Sequence, residues 1–456
     1  MGATEEQLDF PVVYASALNG FASLDQDSHP ENMEPLFETI LEHVAAPNED
    51  EDGSLQLQIS ALDYSSFVGR IGIGRIRRGK IKPNQQVIVA TGLDGERKTA
   101  KINQVLVFSG LERALVDEAS AGDIVLINGI EELNIGVTIC DVANPEPLPM
   151  LKIDEPTLSM TFQVNTSPLA GTEGKFVTSR QIRDRLNKEL LTNVALKVED
   201  TDNTDEFLVS GRGELHLTIL VENMRREGFE LAVAKPHVVT KMVDGEKCEP
   251  YELLTIDVEE EHQGGVMEEL GRRKAELLDM SNDGKGRTRI EYRIPARGLI
   301  GFQGDFLTMT RGTGLMAHLF DDYGPIKADI PGRRNGVLIS QENGAAVAYA
   351  LWNLEDRGRM FVNPGEKLYE GMIIGIHSRD NDLIVNPIKG KKLTNVRASG
   401  TDEAVRLTPP IMLTLESAIE FIDDDELVEV TPQNIRLRKR YLNEIERKRA
   451  SKSSQG

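Results

Sequence analysis

The chain has 456 residues, with 74 acidic against 52 basic side chains and a formal net charge of −22. That excess of carboxylates argues against a protein that coats nucleic acid over its whole surface, so any RNA contact has to come from a local basic patch. The apolar fraction of 39% is ordinary for globular domains, and a chain this long should hold about three to five of them.

Cys140 and Cys248 are far apart and form no Cys-x-x-Cys pair, which fits a reducing compartment without a disulfide framework. The seven histidines include no His-x-x-x-His spacing, so no structural zinc site is expected. No apolar run reaches the ~18 residues of a membrane helix. Residues 1–7 lack a signal-peptide core, and their junction with a strand leads us to expect that the natural protein continues upstream.

In chain order, residues 10–20 read as an apolar strand entering a polar turn. Met33, Leu36, Phe37, Ile40, Leu41 and Val44 then make a helical stripe. One strand and one helix cannot bury each other, so residues 1–46 are the tail of a larger α/β domain or an orphan. An acidic boundary precedes short alternating strands at 55–59, 71–73, 87–89, 102–107 and 124–127. No helical pattern intervenes, and residues 47–147 are predicted to form a β-barrel.

Residues 148–240 carry strands at 157–164, 195–199, 207–209 and 229–233. One helix follows Ile182, Leu186 and Leu190, and another follows Leu217, Leu220, Val221 and Met224. The order β-α-β-β-α-β is the ferredoxin-like, split βαβ plan. Gly211 and Gly213 read as a sharp turn that bulkier residues would resist. Such a turn before a helix is also a weak signal for an anion cradle. Glu214 complements the helix dipole, and Gly228 fits the left-handed residue that ends a helix.

The same plan recurs over 241–322, with strands at 252–258, 287–294 and 312–320, a helix at 266–278 and a second helix within 295–309. Residues 323–456 read as a mainly β domain. It has strands at 337–340, 346–354, 372–377, 428–430 and 435–437, a short helix at 415–422, and a basic, partly disordered end at 436–452. The fold class is therefore multidomain β and α+β.

Three stretches invite chemistry. Residues 74–81 (Gly-Arg-Ile-Arg-Arg-Gly-Lys-Ile) match a P-loop up to the last position, where Ile81 replaces the Ser or Thr that holds Mg²⁺. Pro83 leaves no helix N-terminus there, and a basic hairpin is the better reading. The acidic runs 50–52 and 423–426 read as solvated turns or helix ends, because hard cations need carboxylates that converge in space. Residues 386–401 carry Lys389, Lys391, Lys392 and Arg397 with no carboxylate between them. Such a loop would steer RNA phosphates in a salt-sensitive way. Thr394 and Asn395 would reach sugars or bases, and Ser399 belongs to the same candidate set. On spacing alone a solvated loop is an equal alternative.

Residues 209–217 (Val-Ser-Gly-Arg-Gly-Glu-Leu-His-Leu) resemble the third-domain signature of elongation factor G. The barrel at 47–147 is similar to the second domain of such factors, and residues 294–301 (Ile-Pro-Ala-Arg-Gly-Leu-Ile-Gly) to the fifth. Residues 390–404 (Gly-Lys-Lys-Leu-Thr-Asn-Val-Arg-Ala-Ser-Gly-Thr-Asp-Glu-Ala) resemble the C-terminal domain particular to the BipA/TypA family. Over nearly its whole length the chain looks like a translational GTPase of that family.

Residues 14–18 (Tyr-Ala-Ser-Ala-Leu) resemble the family's last guanine-contacting motif, which makes Ser16, Ala17 and Leu18 a nucleotide-binding remnant. The P-loop, switch regions and Asn-Lys-x-Asp motif do not occur in this sequence. No catalytic residue, metal site or cofactor is therefore expected in this chain itself. For the full-length parent the resemblance implies GTP and Mg²⁺, and action in large-subunit assembly and in stress or low-temperature translation. It implies the ribosome, rRNA and tRNA as partners through the C-terminal domain, a monomer, no membrane, and a bacterial cytoplasmic location with a chloroplast origin left open. The fourth domain of elongation factor G has no counterpart between 236 and 251, which argues against a translocase. Alternatives are another elongation factor G-like or LepA-like factor, or a cryptic nucleotide hydrolase at 74–81.

Overall fold

Alternating apolar side chains between Gln56 and Cys140 build an eight-stranded antiparallel sheet, whose longest pair joins Gln56–Ser65 to Gly69–Arg78. Leu57, Ile59, Val87, Val125 and Ile139 are fully buried in one core. A short pairing of Lys80–Ile81 with Ala119–Ser120 adds a two-stranded strip. This is the barrel that the strand spacing predicts. The structure is a computed structural model that describes residues 9–45, 50–151, 155–328, 330, 332–390 and 406–453. It separates into two units, residues 1–151 and 152–456.

Ahead of the barrel, Tyr14–Ser16 and Phe21–Ser23 form a hairpin, followed by helix α1 (Glu34–His43). No residue of α1 is buried, and Phe37, Ile40 and Leu41 are exposed. The apolar stripe is present, lies against the hairpin strand Phe21–Ser23 and stays largely exposed.

The second unit opens with the split βαβ module. Its strands run in the order Lys197–Asp200, Glu206–Gly211, Leu158–Gln163, Leu231–Ala234, all antiparallel. Helix α2 (Ser179–Glu189) starts at a reciprocal cap between Thr178 and Gln181. Helix α3 (Glu214–Glu227) buries Leu217, Leu220, Val221 and Met224, each worth about 1.5–3 kcal/mol of apolar transfer. Gly228 ends α3 at φ 99°, a left-handed conformation that favours glycine.

A second module of the same plan follows. Strand Glu246–Glu259 lies between Arg287–Pro295 and Leu315–Pro325, with Glu276–Asn282 at the edge. Helices α4 (Glu260–Arg272) and α5 (Phe302–Met309) cover one face. The helix expected at 266–278 is displaced. Lys274 turns to φ 67°, which stops α4, and Leu277 and Leu278 sit exposed on the edge strand. Their apolar character belongs to a strand and not to a helical face.

The first module's sheet does not end at Leu231–Ala234. That strand pairs with Glu426–Val430, which pairs with Ile435–Lys439 and then with Met372–His377, Val337–Ser340 and the parallel strand Leu383–Val385. The result is one eleven-stranded sheet. Phe162, Phe207 and Leu220 share a single core with Ile339, Ile373 and Val428. The second split module is thus an insertion between Val238 and Val337 of this sheet.

Helices α6 (Ala348–Leu354), α7 (Leu415–Phe421) and α8 (Glu444–Ser453) complete the described chain. Two expectations are corrected here. The strand expected at 346–354 is α6: Ala350 and Leu351 are buried while Trp352 and Asn353 face out, and the alanine-rich run favours helix. The end expected to be partly disordered is ordered structure. Arg438 and Lys439 are buried in the sheet, and α8 follows. No helix among the described residues is long and apolar enough to cross a membrane.

Candidate functional site

The signature stretch 209–217 positions a strand end against the start of α3. Gly211 is required by close approach, since a Cβ there would lie 2.8 Å from His216 Nδ1 and 3.0 Å from Leu217. Gly213 has extended backbone, φ −178°, with open space around it. Any residue could adopt that conformation, so the expected resistance to bulkier residues holds at Gly211, through close approach, and not at Gly213. The Arg212 N–H donates to His216 Nδ1 at 3.3 Å, and Thr157 Oγ1 donates to the Arg212 carbonyl at 2.7 Å. Asn193 Nδ2 lies 2.9 Å from His216 Nε2. Burial, with the Arg212 charge beside it, holds His216 below the ordinary imidazole range. The Arg212 N–H and carbonyl and the His216 ring are thus engaged within the fold, while the N-terminus of α3 has no side-chain cap.

Glu214 does more than complement the helix dipole. Burial pushes its carboxyl up to about 7, Glu420 on α7 pushes in the same direction, and the Gly301 N–H donating to it acts the other way. Glu214 Oε1 has no partner among the described residues. Glu420 is itself raised by burial and by Asp305 and Glu416, against Arg273. Three segments therefore meet at a carboxyl-rich junction that periodicity gave no reason to expect.

Beside this junction lies a cleft of about 950 Å³ lined by Lys235, Arg273, Arg297, Arg333 and Glu420 among others. Most of its cations are engaged within the protein, while Arg334 is exposed. Lys235 binds Asp423 at 2.9 Å, and Arg273 binds Asp305 at 2.7 Å. Arg333 grips Glu426 through two bonds of 2.8 and 2.9 Å, and Arg297 pairs with Glu249. Lys439 contacts Glu426 and Asp425 at 2.9 Å and Asp382 at 2.7 Å. Burial alone would lower its ammonium, but Glu426, Asp382 and Asp425 outweigh burial and hold it above its ordinary value. Of the acidic run 423–426, expected as a solvated turn or helix end, Asp424 and Asp425 are exposed just past the helix end, whereas Glu426 is the anionic centre of a structural clamp. Glu426 is fully buried.

The nucleotide candidates are placed plainly. Ser16 ends the first strand of the hairpin, its Oγ accepts from the Asn19 N–H at 3.3 Å, and Ala17 and Leu18 are exposed in the turn. Residues 74–81 run along Gly69–Arg78, turn at Gly79 (φ 77°) and enter Lys80–Ile81. Lys80 pairs with Glu51 at 3.2 Å, and Ile81 is buried in the barrel core. A phosphate cradle needs N–H groups converging at a helix N-terminus, and neither stretch supplies one. The hairpin at 74–81 therefore does not fit a triphosphate with Mg²⁺.

Of the candidate RNA-binding set, Lys389 is exposed at the end of the segment that follows Leu383–Val385. Lys391, Lys392, Thr394, Asn395, Arg397 and Ser399 lie outside the described residues. The stems on either side are built. Asn386 Oδ1 accepts from the Ile388 N–H at 3.1 Å, and the Pro387 carbonyl accepts from the Val347 N–H at 3.0 Å. On the far side the Thr408 N–H donates to Glu355 Oε1 at 2.6 Å. Both stems are thus tied to the ends of α6. Sequence reading missed this because it took α6 for a strand. The signal was Tyr349 and Trp352, three residues apart on one helical face.

Residues 335–444 match the family described as TypA/BipA C-terminal domain. The chain is 61% identical over 454 residues to "Large ribosomal subunit assembly factor BipA" of Escherichia coli, covering 99% of this chain and 75% of that protein. The chain belongs to the TypA/BipA family. Proteins of the same description from Haemophilus influenzae and Bacillus subtilis are 60% and 52% identical, over 100% and 99% of this chain and 74% of each relative. The other matches follow the fold: elongation factor Tu domain 2 at 69–140, elongation factor G domain III at 177–235 and elongation factor G C-terminus at 246–334. The TypA/BipA family is one of translational GTPases, and its C-terminal domain here is the part that shares a sheet with the domain III module.

Proposed function

We propose that this chain is the ribosome-binding portion of a BipA/TypA factor that acts in large-subunit assembly and in stress or low-temperature translation. Its contacts with rRNA and tRNA run through Lys389, Lys391, Lys392, Thr394, Asn395, Arg397 and Ser399. The observation that carries the reading is the TypA/BipA C-terminal match over 335–444, which spans this carboxylate-free basic segment. The relatives' description as assembly factors of the large ribosomal subunit supports the same partner. GTP and Mg²⁺ serve the full-length parent, and the chain works as a cytoplasmic monomer. Its functional parts are 1–46, 47–147, 148–240, 241–322 and 323–456.

Co-sedimentation with ribosomes over a salt series tests the proposal. Lys391→Ala with Lys392→Ala should weaken association and flatten the salt dependence, by about 0.9 in log–log slope for each phosphate that is no longer neutralised. Pelleting that is unchanged by the double substitution removes the loop from the site.

A further inference from the structure

We propose that Trp352 and Tyr349, on the outer face of α6, form a stacking platform for the bases of a single-stranded RNA segment, flanked by Arg357, Lys389 and Arg406. The proposal rests on the RNA-binding reading of the neighbouring loop and deepens it. Trp352 is 48% exposed although α6 buries Ala350 and Leu351 on its other side. Tyr349 is half-buried beside it, with ring centroids 6.2 Å apart and planes inclined by 38°. The pair thus presents aromatic surface to solvent that a nucleobase would cover.

The placement of α6 supplies the charge. Val347, just before the helix, is bonded to Pro387, and Glu355, just after it, is bonded to Thr408. Lys389 and Arg406 each lie two residues in sequence from those anchors, Lys389 at the N-terminal end of α6 and Arg406 at its C-terminal end. Both are exposed, as is Arg357 beyond the helix. No ion pair engages any of the three among the described residues. Of the nearby carboxylates, Glu355 accepts from the Thr408 N–H and Glu342 from Asn386 Nδ2, and Asp356 is exposed.

Aromatic side chains between cations are the chemistry of single-strand recognition, because every base offers a π-face and each stack contributes roughly 1–3 kcal/mol. Paired bases in an RNA duplex withhold those faces, which selects for unpaired segments. A protein partner could cover the same rings, but cations at both ends of the helix favour a phosphate-bearing ligand.

Trp352 is the chain's one tryptophan, so intrinsic emission reports on this side chain alone. Titration of the full chain with a short oligouridylate should quench that emission. Trp352→Ala should weaken binding by about tenfold, and Trp352→Phe should restore most of it. Emission that stays constant while oligouridylate binding saturates overturns the platform. If Lys391→Ala with Lys392→Ala still lowers ribosome association in that case, the loop reading survives on its own. Emission that responds to RNA-free ribosomal proteins and not to the oligonucleotide assigns the surface to a protein and overturns the proposal. Should the alanine variant misfold, the emission titration of the unaltered chain decides the matter.

Discussion

Val233 stands opposite Val428 in an antiparallel pair, which joins the last strand of the domain III module to the C-terminal domain. Both side chains are fully buried in one shared core. The two segments should therefore unfold together. Val428→Asp places an unpaired charge in that core and should cost on the order of 4 kcal/mol. Limited proteolysis of the variant should open sites within residues 155–240 as well as beyond 337. Cleavage confined to the C-terminal segment would contradict a common folding unit.

Glu214 gives the junction a pH dependence. Its carboxyl titrates near 7 in the folded chain, against about 4.5 when unfolded. The folded state thus binds the extra proton between those values, and stability falls as pH rises from about 4.5 through 7. Glu214→Gln keeps the shape without the charge. It should leave the urea midpoint nearly unchanged at acid pH and stabilise the protein by about 2–3 kcal/mol above pH 8. Equal midpoints for variant and parent in alkali would show that the junction carries no such strain.

The two glycines of the signature stretch should behave differently. Gly211→Ala drives a Cβ against His216 and Leu217 and should cost about 1–3 kcal/mol by overpacking. Gly213→Ser enters open space at extended backbone, where a serine can cap α3. It should be neutral or stabilising by a few tenths of a kcal/mol. Thermal unfolding of the pair checks this, and equal losses would mean that the turn, and not the close approach, sets the need for glycine.

Glu426 balances both Arg333 and Lys439 while fully buried. Glu426→Gln leaves those cations undercompensated and should cost about 3–5 kcal/mol. A loss below about 1 kcal/mol, typical of an exposed pair, would contradict the clamp.

The barrel and the first split module were legible in the sequence because each is local. Alternation at Leu57 and Ile59, and helical spacing from Leu217 to Met224, register burial within a few residues. The continuous sheet was not legible, because its decisive pairing joins Leu231–Ala234 to Glu426–Val430 and periodicity carries no information about distant partners. Residues 346–354 misled because a short apolar run bounded by loops fits either period. The burial of Glu426 and the pairing of Asp423 were not legible in the acidic run, because their partners Lys235, Arg333 and Lys439 come from other strands and loops. At the candidate interface, the sequence supplied the cations of 386–401, whereas the helix between their stems needed coordinates.

The central claim, that this chain carries the ribosome-binding part of a BipA/TypA factor, is tested most directly by binding to purified large and small ribosomal subunits over a salt series. The account predicts association with large subunits that weakens steadily as salt rises. A preference for small subunits, or large-subunit association indifferent to salt, would contradict it.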